Sequence, residues 1–267
     1  MTPLHQHELK NLALPDLVRR MDEILLQSIR ERYGQIPDGF PVALVSDVVT
    51  TKKVSAQSDE QRRRIAYLTF SYLVQLELHL VSGGFSNAML FTSNYNEALS
   101  WQSPLFRLRD GAIRQYQIMC SRIAMEIFMD LLHCIETGQR LTSKRSKLKA
   151  FQKWLCDPAN ELHYFAHVLL DAYRFDRSLR TPEVHGTPKL PTRLLLLQHP
   201  SPEEMNEPHR LLNALVGCWR PLQELLNGQR PAYMRVSEAE KEWFSAYMTG
   251  SENEIAKKLV EMFDGIE

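Results

Sequence analysis

An arginine and a histidine, two residue types that handle phosphate groups, flank a short polar segment between two apolar helical stretches. Thr181 is a favoured helix N-cap, Pro182 suits the first helical position, and Gly186 is typical of a helix end. The sequence therefore predicts one helical turn with Arg180 and His185 at its ends. A guanidinium can hold two phosphate oxygens and an imidazole exchanges a proton near neutral pH, so this pair favours phosphate chemistry. The alternative is a capped turn with two solvated polar side chains.

A second polar set lies on a predicted long helix upstream. Arg122, Glu126 and Asp130 recur at four-residue spacing and so share one helical face. The plain interpretation is a ladder of surface ion pairs, each stabilising the helix by a few tenths of a kcal/mol.

Positive charge is concentrated between residues 140 and 153. The basic residues are Arg140, Lys144, Arg145, Lys147, Lys149 and Lys153. Next to Phe151 and Trp154 they could bind single-stranded RNA through phosphate contacts and base stacking. The spacing of the two aromatics favours a short helix packed on the core, so only the charges form the candidate RNA patch. The triplet at 62–64, all arginine, predicts a solvated face, with RNA phosphate binding as the alternative.

A metal site is a further alternative, because His163, His167 and Asp171 stand at successive four-residue steps. The segment lacks the intervening Glu that a catalytic zinc helix pairs with two histidines, so we interpret these residues as an ordinary polar face. Gly83-Gly84 is not followed by the Lys-Ser/Thr of a phosphate-binding loop. We therefore expect neither a metal nor a cofactor.

Apolar residues recur at helical spacing along most of the chain. The predicted helices cover 17–33, 59 to the glycine pair at 83–84, 110–137, 159–179, 208–227, 237–248 and 251–263. Residues 40–54 are predicted to be extended or a loop, and 85–106 a connector with short helical pieces. The buried stripe of the longest pattern, 110–137, is predicted at Ile113, Tyr116, Cys120, Ile123, Ile127 and Leu131. The fold class is all-α, a helical bundle.

The composition of the 267 residues excludes several classes. Lys and Arg together number 32, as do Asp and Glu, so the chain has no net charge that would favour binding to nucleic acid or to an anionic membrane. Four widely spaced cysteines are typical of reduced thiols, and no stretch is apolar enough to span a bilayer. We expect a soluble, cytoplasmic protein with no membrane partner.

The Arg180-x4-His185 motif in an all-α chain, after the helix that carries Arg122 and Glu126, resembles the HEPN superfamily. The resemblance covers about residues 107–227. It implies a domain organisation with an N-terminal helical extension at 1–106, a HEPN-like bundle at 107–230 and a C-terminal helical extension at 231–267. Thr181 stands where the family commonly has Asn, Asp or His, which leaves a non-catalytic member open as the alternative.

The resemblance also implies a function. Members are often metal-independent endoribonucleases, in which the ribose 2′-hydroxyl attacks the adjacent phosphorus and leaves a 2′,3′-cyclic phosphate. Arg180 and His185 would then be catalytic, and Glu126 would orient one of them. Arg122, Lys144, Arg145, Lys147 and Lys149 would contact RNA. The family also implies a homodimer, a toxin or antiphage role, and an antitoxin or regulatory protein as a partner. The alternative function is that of a non-catalytic helical dimer that binds RNA or a protein.

Overall fold

The computed structural model describes residues 9, 11–34, 42–94, 104–142, 147–155, 162, 165, 172, 175 and 202–229. These residues are mostly helical and contain no strand, which confirms the all-α prediction. The helices are α1 (Leu14–Tyr33), α2 (Ser46–Val49), α3 (Lys52–Ser55), α4 (Asp59–Asn94), α5 (Pro104–Thr137), α6 (Lys147–Leu155), α7 (Pro202–Gly217) and α8 (Trp219–Leu226). Of these, no helix combines the length and apolarity needed to cross a lipid bilayer.

The chain divides into two compact units, each assembled from separate stretches. The first consists of Met1–Val74, Ile127–Leu141 and Trp219–Ala232, and the second of Gln75–Glu126, Thr142–Cys218 and Tyr233–Glu267. The expected boundaries at 106 and 230 come from the family resemblance and stay a prediction.

In the first unit, α1 forms as its sequence predicts. Pro15 and Asp16 lie in its first turn, where a missing N–H and a negative charge are both favourable. Leu17 and Met21 are fully buried. Gly34 ends the helix at φ 78° and donates its N–H to the carbonyl of Arg30 at 2.8 Å.

The segment predicted to be extended or a loop contains two four-residue helices, α2 and α3. That prediction was wrong because the segment is stabilised from elsewhere in the chain. Asp22 on α1 accepts backbone hydrogen bonds from Val45 at 2.6 Å and from Ser46 at 3.3 Å. The apolar side chains of the segment are also buried, and such packing overrides local propensity. The buried residues are Val45, Val48, Val49 and Val54.

Helix α4 begins at Asp59, as predicted, and runs further than predicted. Ser58 caps it: Ser58 Oγ accepts the N–H of Gln61 at 3.3 Å while Gln61 Oε1 accepts the N–H of Ser58 at 3.3 Å. The helix continues through Gly83-Gly84 to Asn94, so the predicted break and the first part of the predicted connector are wrong. Glycine in a helix interior costs about 1 kcal/mol relative to alanine but does not forbid the helix.

An aromatic stack lies at the centre of the first unit. The ring of Tyr72 on α4 lies 5.0 Å from that of Phe128 on α5 and 6.1 Å from that of Trp219 on α8. Trp219 Nε1 also donates to Asp47 Oδ2 at 3.4 Å, which ties α8 to α2. Helix α5 ends, as predicted, at Gly138, whose φ is 69°.

In the second unit, α6 packs through Leu148 and Phe151, and Phe151 contacts Trp154 with ring centroids 5.4 Å apart. The prediction of a short packed helix here is confirmed. Leu162 and Phe165 are buried. The predicted helix at 208–227 is instead two helices, α7 and α8, with a turn at Cys218.

Candidate functional site

The predicted catalytic pair, Arg180 and His185, lies outside the residues that the structure describes, as do Lys144 and Arg145. The predicted turn between the pair therefore stays a prediction. The remaining candidate residues, Arg122, Glu126 and two lysines, are described.

Arg122 and Glu126 form an ion pair on α5, with Arg122 Nε 2.8 Å from Glu126 Oε1. The guanidinium side chain is only 16% exposed and the carboxylate side chain 35%, so water screens this pair less than a surface pair. Asp130, the third member of the row, has a side chain that is 2% exposed and pairs with Arg140 at 3.4 Å.

The two described lysines of the candidate RNA patch lie on α6. Lys147 is half-buried and Lys149 is exposed, while Leu148 between them is buried. The charges therefore lie outside and the apolar side chains inside, as the sequence predicted for this helix.

An exposed apolar stripe follows α5 in the second unit. Tyr116 is 46% exposed, Met119 59% and Ile123 41%. Of the predicted buried stripe, Cys120 and Leu131 are buried, whereas Tyr116 and Ile123 are exposed, so the prediction was wrong at these two positions. The buried residues of this helix also include Gln117, Ile118, Ser121, Ala124 and Met125. Apolar residues occupy more than one side of this helix, so periodicity alone could not select the face that packs.

A buried serine and histidine meet in the same unit. Ser121 Oγ lies 2.5 Å from His79 Nε2 and 2.9 Å from the carbonyl oxygen of Gln117. If the single hydroxyl proton is donated to that carbonyl, Oγ accepts from the imidazole N–H. Both side chains are fully buried, so this conformation gives a substrate no access to the hydroxyl.

An arginine-lined cavity lies in the first unit, along one face of α4 and against the residues that follow α5. Its volume is about 440 Å³, and its lining residues are Glu60, Arg63, Arg64, Tyr67, Leu68, Ser71 and Arg140. Arg63 donates to the carbonyl of Leu12 at 2.7 Å, and Arg64 donates to the carbonyl of Gly138 at 2.9 Å. Arg64 also lies 3.3 Å from the exposed carboxylate of Glu60.

The described cysteines, Cys120, Cys134 and Cys218, are buried. Burial raises the pKa of the Cys120 and Cys134 thiols, which makes both weak nucleophiles. The alternative metal ligands His163, His167 and Asp171 lie outside the described residues. Within the described ranges, no group of three His, Cys, Asp or Glu residues is placed to share a metal ion.

Comparison of the chain with protein-family models, curated proteins and solved structures gave no match.

Proposed function

We propose that this chain is a cytoplasmic, metal-independent endoribonuclease of the HEPN type with a toxin or antiphage role. The observation that carries the proposal is the Arg180-x4-His185 motif in a chain whose described part is all-α. The ion pair of Arg122 and Glu126 on α5 supports it, because a mostly buried pair holds the Glu126 carboxylate in a defined position.

The chemistry follows from the two residue types. The 2′-oxygen bonds to the adjacent phosphorus and the bond from phosphorus to the 5′-oxygen breaks, which leaves a 2′,3′-cyclic phosphate and a 5′-hydroxyl. His185 takes the proton of the 2′-hydroxyl or supplies one to the 5′-oxygen, since its ordinary pKa of about 6.5 suits both roles. Arg180 stabilises the charge that develops on the non-bridging oxygens.

The proposal includes a homodimer, because one arginine and one histidine per chain make a sparse site that two-fold symmetry doubles. The exposed stripe of Tyr116, Met119 and Ile123 supports a protein contact, since apolar side chains at three- and four-residue spacing form a continuous surface on α5. A regulatory protein such as an antitoxin is the other partner that this stripe suits.

The test is cleavage of labelled RNA by purified protein, with analysis of the product ends. Wild type should cleave and leave cyclic phosphate ends, while His185→Ala and Arg180→Ala should each slow cleavage by about two to four orders of magnitude. Arg180→Lys should not restore activity, because an ammonium cannot hold two phosphate oxygens in a fork. The matched control is Arg220→Ala, which removes an arginine that is 87% exposed. Equal cleavage by wild type and His185→Ala would contradict the proposal.

The second candidate is a non-catalytic helical dimer that binds RNA or a protein, and the exposed apolar stripe on α5 favours it. Two results together would support this second function. The wild-type protein would cleave none of the RNA pools, and Arg180→Ala would bind RNA or the partner more weakly than wild type does.

A further inference from the structure

The arginine-lined cavity of the first unit contains guanidinium groups whose charge is poorly compensated. No carboxylate of the described residues lies within ion-pair distance of Arg63, whose hydrogen-bond acceptor is the neutral carbonyl of Leu12. Arg64 is fixed by the neutral carbonyl of Gly138, and its contact with Glu60 is long and exposed. Two arginines are thus held in place without losing their attraction for an anion.

Two buried polar atoms in the lining lack hydrogen-bond partners. Arg63 Nη1 and Tyr67 Oη are both closed to solvent and neither has a partner. A guanidinium nitrogen can only donate, and a phenol can donate its proton, so each retains a hydrogen bond to offer an oxyanion once a small side-chain movement exposes the atom to the cavity. Unpartnered buried donors of this kind need an explanation, and a bound oxyanion supplies one.

The remaining lining residues define the size and charge of the ligand. Arg140 adds a third guanidinium, partly offset by Asp130 at 3.4 Å and by Glu60 on the rim. Three guanidinium groups against two carboxylates leave one net positive charge, which favours a small anion. The volume of about 440 Å³ exceeds that of a phosphate and lies in the range of small-molecule sites. Leu68 and the ring of Tyr67 offer an apolar wall for the rest of the ligand.

We propose that this cavity binds the phosphate monoester of a small molecule of mononucleotide size. Arg63, Arg64 and Arg140 hold the terminal phosphate, and Tyr67 donates to one of its oxygens. The proposal does not depend on the endoribonuclease function, because none of these residues belongs to the Arg180 and His185 motif.

The test is isothermal titration of the full chain with adenosine 5′-monophosphate, adenosine, inorganic phosphate and a ten-nucleotide uridine oligonucleotide without a terminal phosphate. We expect saturable binding of the monophosphate, weaker binding of phosphate and none of adenosine. Arg63→Gln should weaken monophosphate binding about tenfold to a hundredfold, since each charge-assisted hydrogen bond has an effect of that size. Arg140→Gln should weaken binding about tenfold. Because Arg140 pairs with the buried Asp130 carboxylate, circular dichroism checks that this variant is folded.

Two controls separate this site from general charge effects and from the nuclease. Arg19→Gln removes one exposed arginine of the same unit that does not line the cavity, and His185→Ala removes the proposed catalytic base. Both should bind the monophosphate as wild type does. The proposal would be overturned if the monophosphate did not bind, or if both cavity variants bound it as tightly as wild type does. It would also be overturned if adenosine bound as tightly as the monophosphate. The proposal would also be overturned if the oligonucleotide bound in a way that depends on Arg140 while the monophosphate did not bind. That result would indicate that the cavity binds an RNA backbone.

Discussion

The carboxylate of Asp22 accepts the backbone N–H of Val45 at 2.6 Å, across 23 residues of sequence. Asp22 is buried on α1, and its second oxygen accepts the N–H of Ser46 at 3.3 Å. One side chain thus satisfies two backbone donors at the start of α2, which is too short to be stable by itself.

Asp22→Ala should lower the free energy of unfolding by about 1–3 kcal/mol, because it leaves the N–H of Val45 buried and unpaired. Urea denaturation followed by circular dichroism measures the change. Asp16→Ala is the matched control, since Asp16 lies on the same helix in an exposed ion pair with Arg19. We expect the control to change stability by less than about 0.5 kcal/mol. Equal effects of the two variants would show that the contacts of Asp22 contribute nothing specific.

The same residue should make stability depend on pH. Burial raises the pKa of Asp22 above its ordinary value of 3.8, against the opposing hydrogen bonds from Ser46 and Val45. The folded protein therefore holds this proton more tightly than the unfolded chain does. The resulting stabilisation is complete below the ordinary value and is lost as pH rises through the raised pKa. The free energy of unfolding of wild type minus that of Asp22→Asn should fall as pH increases from about 3.5 through this window. A difference that rises with pH would reverse the sign of the assigned pKa change.

Gly138→Ala should destabilise the first unit by more than Gly34→Ala does. Both glycines have positive φ, at 69° and 78°, so both variants carry backbone strain of about 1–2 kcal/mol. At Gly138 an added Cβ would also overlap the side-chain amide of Gln61, whereas nothing lies within 4 Å of the corresponding position at Gly34. Gly217→Ala, in helical backbone with open space around it, should be neutral or slightly stabilising. Thermal unfolding of the three variants gives the order directly, and equal values at 34 and 138 would mean that Gln61 moves away freely.

Phe128→Ala should lower the free energy of unfolding by about 3–5 kcal/mol, because it opens a cavity beside the ring of Tyr72. Met119→Ala, on the same helix at a side chain that is 59% exposed, should have a small effect. Guanidinium denaturation measures both. A small effect at Phe128 would mean that Tyr72 and Trp219 repack into the space.

RNA cleavage should persist in EDTA, because the proposed chemistry uses only Arg180 and His185. His163→Ala and His167→Ala should alter folding or have no effect, and cleavage with and without chelator measures this against wild type. Loss of activity on chelation, restored by zinc or manganese, would instead assign the chemistry to the predicted metal ligands His163, His167 and Asp171.

Sequence predicted the elements that depend on local signals. Helix α1 has one apolar stripe and a terminal glycine, and both features act within a few residues of the chain. Helix α2 could not be predicted, because its stability depends on Asp22, far upstream. The buried face of α5 was predicted only in part, at Cys120 and Leu131. The polar residues Gln117 and Ser121 are also buried there while Met119 is exposed, and only tertiary packing decides this.

The candidate sites divide in the same way. The Arg122 and Glu126 ion pair follows from four-residue spacing on a helix, so the sequence predicted it. The arginine-lined cavity was not predicted, because Arg64 and the Gly138 carbonyl that fixes it are 74 residues apart. The roles of Arg180 and His185 stay predictions, since those residues lie outside the described ranges.

The reactivity of the buried thiols can report how often each unit of the protein opens locally. Cys134 belongs to the first unit, and Cys120 and Cys218 to the second, so each unit holds at least one unreactive sulfur in its core. A thiol reagent reaches such a sulfur only when the surrounding structure opens, and its labelling rate then reports the free energy of that opening. Mass spectrometry of the labelled peptides would therefore rank the two units by local stability without any engineered cysteine.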